Sequence, residues 1–282
     1  MRHIEQKKTK FPDTVIRFAL CVAFFLCATV FDGAAFGTSD KTMIFFYSSE
    51  TNINNFKSLK MEFDTFLSNL GPYEFQPFSD RSTFENHIRD KKKCLLILSS
   101  WHYTNIYEAY GLKAVFTGVR EGKNSQKRIW VGKVGSDIAS AKAGQIASAS
   151  SVQHTRSVLS EILGTKDGTD KLKILTVPKD IDALMSVGFG MSKSALTTAN
   201  AMNSLKNINP ALHKKMTVLV EGGESLLLVL AVPEAFGRNA EKPMNIIAQM
   251  AETPRGEERI RMLGLDQWQK IGASARTILE GK

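Results

Sequence analysis

The sequence predicts an α/β protein of two lobes joined by crossing strands. Three observations predict it. Strand, helix, strand, helix and strand patterns follow one another between residues 42 and 100, the order of a sheet with helices on its faces. The same alternation restarts near residue 145 and runs to residue 210. Between the two units lies KAVFTGVREGKNSQKRIWVGK (113–133), two strand-like runs around a turn-rich EGKNSQ, with no low-complexity linker. Two units without a linker imply crossing strands, not beads on a string.

Each element has its own signal. TMIFFYSS (42–49) is β-rich and ends in small polar residues. In INNFKSLKMEFDTFLSNLG (53–71), Phe56, Leu59, Phe63, Phe66, Leu67 and Leu70 recur at helical spacing, with Gly71 as the stop. YEFQPF (73–78) alternates as a strand does, and Asp80 or Ser82 is placed to cap a helix running through Arg89. CLLILSS (94–100) is apolar enough for a fully buried strand. QIASAS (145–150) is strand-like. SVQHTRSVLSEILG (151–164) is a helix with Val158, Leu159, Ile162 and Leu163 on one side and Gly164 as its stop. LKILTVP (172–178) is a strand, and Asp180 is expected to cap DIDALMSVG. SALTT (194–198) is a short strand, and AMNSLKNINP (201–210) is a helix closed by its proline. TVLVEG (217–222) and LLLVLAVP (226–233) are strands. The tail from KPMNIIAQM to ARTIL predicts two or three amphipathic helices broken at Pro254, Gly256 and Gly264. There is no internal repeat.

The start of the chain is of another kind. Met1–Arg17 is basic, Phe18–Phe31 carries no charge, and Gly33, Ala34, Ala35 and Gly37 follow. This is the pattern of a secretory signal, expected over residues 1–37 with cleavage after Ala35 or Gly37. The apolar run is shorter than the ~20 residues of a spanning helix, and the rival reading is an uncleaved anchor. Cys21 and Cys27 fall inside this segment, which leaves Cys94 on a buried strand and neither a disulfide nor a zinc site. The formal charge is +9 over the whole chain and about +7 without residues 1–37. Basic and acidic residues interleave, as in DRSTFENHIRDKKK, and no basic stripe carries aromatics, so nucleic acid is not an expected partner. A basic surface outside the cytoplasm suits anionic ligands and anionic membranes equally.

SVGFGMSKSALTT (186–198) resembles a phosphate loop and is not one. A P-loop needs G-x-x-x-x-G-K-[ST] and a dinucleotide loop G-x-G-x-x-G. Here Gly188 and Gly190 are too close, and Lys193 follows a serine. The helix also precedes the glycines, whereas both motifs open a helix after them. Gly188 and Gly190 are therefore expected to end a helix, leaving Ser192, Lys193 and Ser194 at the edge of a strand.

From VPKDIDALMSVGFGMSKSALTT to NINPALHKKMTVLVEG the chain resembles the second lobe of the phosphate- and phosphonate-binding proteins of ABC importers, which are type II periplasmic binding proteins. The resemblance continues in QIASASSVQHTRSVL, VFTGVREGKNSQKRIWVG and MAETPRGEERIRMLGLDQW, and covers most of residues 42–268 by order and spacing, not by one diagnostic motif. It implies two lobes, each a mixed sheet flanked by helices: lobe I from 38–125 and 220–282, lobe II from 126–219. It also implies a cleft that holds an oxyanion with helix N-termini and hydroxyls. In this sequence three loops would face that cleft: Tyr47, Ser48 and Ser49; Ser99, Ser100, Trp101, His102 and Tyr103; and Ser150 and Ser151, with His154 and Thr155 in the next turn. Relatives that bind aminophosphonates carry an acidic residue near the start of the fourth strand of this lobe, where this chain has Lys193 beside Ser194. By that comparison Lys193 selects for anionic groups, or the site is lost.

The expected function is a periplasmic solute-binding protein. It would be a monomer without cofactor, catalytic residue or metal, and would capture a small oxyanion such as phosphate, phosphite or a phosphonate for an ABC transporter permease. The alternative is a degenerate module of the same fold, acting as a sensor input or protein-interaction domain. Against an enzyme stand the missing GxSxG and HExxH motifs and the absence of paired carboxylates at a strand end.

Overall fold

The computed structural model describes residues 41–48 and 55–280. The expected signal over 1–37, Cys21, Cys27 and Ser49 lie outside the described residues.

The unit Lys41–Lys282 is built on two sheets. In the first half of the chain, β1 (Thr42–Tyr47), α1 (Phe56–Leu67), β2 (Tyr73–Pro77), α2 (Arg81–Ile88), β3 (Cys94–Ser99), α3 (Ser100–Tyr110), β4 (Leu112–Val119) and β5 (Ser125–Lys133) follow in order. Next come α4 (Ile138–Ala143), β6 (Gln145–Ser148), α5 (Val152–Leu163), β7 (Lys173–Thr176), α6 (Asp180–Gly188), β8 (Ser194–Thr198), α7 (Ala199–Ile208) and the single turn α8 (Pro210–His213). The chain ends with β9 (Met216–Leu226), β10 (Leu228–Pro233), α9 (Glu241–Ala248), α10 (Pro254–Met262), β11 (Gln267–Lys270) and α11 (Ala273–Glu280). Strand order is β11-β4-β10-β3-β1-β2 in the first sheet and β7-β6-β8-β5-β9 in the second. Both sheets are mixed: β1, β2 and β3 run parallel and β10, β4 and β11 antiparallel in the first, while β7, β6 and β8 run parallel and β5 and β9 antiparallel in the second.

The first sheet is covered on both faces, which is why its central strands are continuous apolar runs. Ile44, Phe46, Leu95, Ile97 and Leu230 pack on one side, with Phe63 of α1 stacked on Phe75 at 4.1 Å. Phe45, Leu96, Leu98 and Val229 pack on the other. Cys94 is buried there, and burial pushes its thiol up to about 12. The second sheet splits likewise, Ile129, Val131, Ala147 and Ala195 on one face and Trp130, Ile146 and Leu196 on the other.

The chain crosses between sheets twice. The first crossing is a tight turn in which Arg120 and Lys123 exchange backbone hydrogen bonds of 2.8 and 3.0 Å, with Glu121 and Gly122 both left-handed. The second is Leu227, whose N–H donates to the Asn124 carbonyl at 3.0 Å. Residues 220–226 pair with β5 in the second sheet, so this return falls later than the boundary at 219/220 expected from sequence.

Several local expectations are corrected. Ser99–Tyr103, read as a loop, starts α3: the Ser99 hydroxyl accepts from the His102 N–H, and Gly111 ends the helix. Of the two candidate caps of α2, Asp80 is the one used, its carboxylate accepting from the Thr83 N–H at 2.8 Å, and that bond helps hold its carboxyl down to about 2. Asp180 is the first residue of α6 and does not cap it; Lys179 holds the cap position. Of the two glycines at the end of α6 only Gly190 is left-handed, at φ +77°. Pro254 separates two helices as expected, as the first residue of α10, but Gly256 lies within that helix and Gln267–Lys270 is a strand paired with β4. Pro254 fits because the first helical turn needs no donor there.

Candidate functional site

In the second sheet the parallel strands β6, β7 and β8 all end on one side, and each leads into a helix N-terminus: α5, α6 and α7 respectively. Such an edge gathers outward-pointing backbone N–H groups and the positive ends of helix dipoles. In the first sheet β1 ends at the same kind of edge in Ser48, and β3 leads into α3. These two edges face each other. Trp101 of α3 stacks on His154 of α5 at 4.7 Å and 20°, and its indole N–H donates to the Ser157 hydroxyl at 3.1 Å. The Arg81 guanidinium lies 5.6 Å from the Trp101 ring centre.

Between the edges lie two cavities. One, of about 210 Å³, is lined by Ser100, Trp101, Arg128, His154, Glu161 and Glu224 among others. The other, of about 480 Å³, is lined by residues that include Arg120, Ala149, Lys179, Asp180, Thr198 and Asn200. Arg128 and Asp180 stand where they meet, since both also line a narrow opening with Ser48 and Gln126. Arg128 is 3% exposed, and its Nη1 donates to Asp180 Oδ1 at 3.1 Å. Arg128 is opposite Thr198, the cap of α7, in the β5–β8 pairing. Sequence reading missed Arg128. Its signal was there: Gln126, Arg128 and Trp130 share the inward side of a strand, and a charge at an inward position calls for a partner.

Four predicted site residues line these cavities: Ser48, Ser100, Trp101 and His154. The Ser100 hydroxyl already donates to the Leu226 carbonyl at 2.6 Å. Ser150, Ser151 and Thr155 gather at the start of α5. Ser151 caps it, accepting from the His154 N–H at 3.3 Å, and Thr155 donates to the Ser148 hydroxyl at 3.0 Å. The Ser150 hydroxyl is buried and has no hydrogen-bond partner among the described residues.

The other five lie elsewhere. Tyr47 is in the core, edge-on to His102 at 5.1 Å, and burial raises its phenol above the ordinary value. The Tyr103 hydroxyl is tied to the Leu112 carbonyl and the Ala114 N–H. His102 points inward to Glu85, Nε2 to Oε1 at 2.8 Å. Lys193 and Ser194 sit at the start of β8, the edge away from Arg128 and Thr198. Four residue steps of extended chain, roughly 13 Å, separate Ser194 from Thr198. Lys193 is exposed against Gly144, its N–H donating to the Gln145 carbonyl. Ser194 accepts from the Trp130 indole and donates to the Ala141 carbonyl. Lys193, expected as a charge selector, therefore lies at the opposite end of the strand from Arg128.

His102 makes a pH prediction. Burial is the largest influence on its imidazole and brings it down to about 4, with the Glu85 hydrogen bond opposing and Arg81 reinforcing the shift. An unfolded histidine takes its proton near 6.5, so between those values the unfolded chain binds more protons and stability falls as pH drops. The full loss across that window is on the order of 3 kcal/mol. Urea unfolding at pH 7 and pH 5 should show this decline, and His102→Gln should flatten it. Equal declines would exclude His102 as its source.

No protein-family model matches the sequence, and no curated protein matches it. Solved structures do match in fold. XAC2383 from Xanthomonas citri, bound to ATP, superposes with a TM-score of 0.61 at 10% identity, over 86% of this chain and 94% of that one. The binding protein component of an ABC phosphonate transporter from Pseudomonas aeruginosa gives 0.59 at 13%, over 84% and 83%. PhnD1 from Prochlorococcus marinus in complex with methylphosphonate gives 0.56 at 10%, over 83% and 94%. The chain shares the fold of these structures: two mixed sheets flanked by helices and joined by crossing strands.

Proposed function

We propose that the protein is a periplasmic solute-binding protein, without catalytic activity, that holds a small oxyanion between its lobes for an ABC importer. The observation that carries this reading is the Ser150 hydroxyl, buried without a partner among the described residues at the N-terminus of α5, across β8 from the buried Arg128 on β5. A buried hydroxyl with no partner costs free energy unless something binds it. An oxyanion supplies acceptors to the hydroxyl, to the helix N–H groups and to a guanidinium. Phosphate, phosphite, methylphosphonate and sulfate are the first ligands to test, and the likeness in fold to an ABC phosphonate transporter's binding component and to PhnD1 in complex with methylphosphonate supports that choice. The two crossings at Arg120–Asn124 and Leu227 supply the hinge about which the lobes close.

Thermal unfolding with each anion tests the reading. A ligand at a hundredfold excess over its Kd adds about 2.7 kcal/mol. Ser150→Ala should leave the stability of the free protein unchanged or slightly higher, because it removes an unsatisfied group. It should weaken anion binding about tenfold or more, the worth of one hydrogen bond to a charged group. Arg128→Met should weaken it at least as much. Stabilisation by none of these anions, or a Ser150→Ala variant that binds as tightly as its parent, would remove the oxyanion reading.

A further inference from the structure

The edge of the second sheet that points away from the cleft has its own chemistry, independent of any ligand between the lobes. At this edge β7 starts at Lys173, β8 is preceded by Lys193, β5 ends at Lys133, and β9 is preceded by Lys215. The register places them together: Gly132 is opposite both Ser194 and Thr217, Lys173 is opposite Gln145, and the Lys193 N–H donates to the Gln145 carbonyl. Four of the five strands thus present a lysine at one end, all four exposed. Among the described residues none of these four ammonium groups is in an ion pair, whereas Lys127, at the other end of β5, pairs with Glu221. The acids of the adjoining loops are Asp137, whose carboxylate accepts from the Ser140 N–H and caps α4, and Asp167 and Asp170 before β7.

Large apolar side chains protrude among the lysines. Phe189 is 71% exposed and Met191 62%, in the turn that leads to Lys193. Val134, 65% exposed, follows Lys133, and its N–H donates to the Lys215 carbonyl. Single exposed apolar residues are ordinary. Three of the most exposed in the described chain at one sheet edge, ringed by lysines, form a surface that is apolar at its tips and cationic at its base. We propose that this edge docks on an anionic lipid bilayer, with Phe189, Met191 and Val134 entering the interface and the four lysines lying at the headgroup phosphates. Both halves are needed: apolar insertion holds the contact, and the charge selects anionic lipid. No helix among the described residues is long and apolar enough to cross a membrane.

The test places a probe at the tip. Phe189→Trp in the full chain is titrated with vesicles of equimolar phosphatidylglycerol and brominated phosphatidylcholine. A second series contains brominated phosphatidylcholine alone. Quenching is read against the parent chain, so the three native tryptophans and the apolar stretch at residues 18–31 cancel. The added tryptophan should lose most of its emission on the anionic vesicles and keep it on the neutral ones. Lys133→Gln with Lys193→Gln should move the titration to roughly 25-fold more lipid, about fivefold for each lysine near the surface. These residues are exposed, and matching thermal unfolding of parent and variants confirms intact folding. The proposal is overturned if the Phe189→Trp variant shows no quenching beyond its parent, if neutral vesicles quench it equally, or if the lysine variant titrates like its parent. Co-sedimentation with the anionic vesicles without that added quenching would mean adsorption of a cationic surface without insertion, and would overturn it too.

Discussion

Trp130→Ala should lower the unfolding free energy by about 3–5 kcal/mol, the range for emptying a large buried aromatic site. Trp130 has no exposed surface and packs with Ile146, Leu159 and Leu196 between the second sheet and α5. Its indole N–H donates to the Ser194 hydroxyl at 3.0 Å, which in turn donates to the Ala141 carbonyl. Removal therefore empties space and breaks a buried chain of hydrogen bonds that ties α4 to the sheet. Ser194→Ala should cost about 1–3 kcal/mol, because the indole N–H would stay buried without its acceptor. It should leave anion binding unchanged, because Ser194 is at the edge away from Arg128. Urea unfolding measures both. A Trp130→Ala loss below about 1 kcal/mol would mean that the site collapses around the missing ring. Weakened anion binding in Ser194→Ala would return that residue to the site.

Gly256→Ala is the second large effect. An ideal Cβ on Gly256 would lie 2.0 Å from the Met250 carbonyl oxygen and 2.8 Å from its carbon. The obstacle is backbone. Met250 is buried in the same core as Ile260 and Leu263, so the turn at Met250–Glu252 cannot step aside without disturbing them. Overpacking of this kind costs about 3 kcal/mol. It should therefore exceed Gly190→Ala, where a left-handed φ of +77° with open space around it costs roughly 1–2 kcal/mol. Thermal unfolding of the two variants gives the order directly. The reverse order would mean that α10 shifts freely against the turn.

The legible part of this chain is local. Phe63, Leu67 and their helix, the apolar runs of β1, β3 and β10, and a polar cap at Asp80 or Ser82 follow from spacing and residue type within a dozen positions. Where the reading failed, neighbours in space were far away in sequence. Ser99–Tyr103 passed for a loop because the helix it starts buries an irregular set, Ser100, His102, Tyr103 and Ile106, against partners such as Leu226 and Glu85. Gln267–Lys270 passed for helix because a four-residue strand with one buried side chain has almost no period of its own, and its pairing with β4 makes it a strand.

The sequence by itself determined that two α/β units share crossing strands, and that hydroxyl-rich segments follow β1, β3 and β6. Only the tertiary structure decided which of those groups meet. Strand direction is the physical reason. A residue at the start of a parallel strand and one at its end are equally polar and equally near a turn, yet they emerge on opposite edges of the sheet. That difference turned Lys193 outward with Phe189 and Met191 and set Arg128 beside Asp180, 52 positions away, in the cleft. Local composition carries no record of it, because the pairing of β5 with β8 and β9 sets which edge is which.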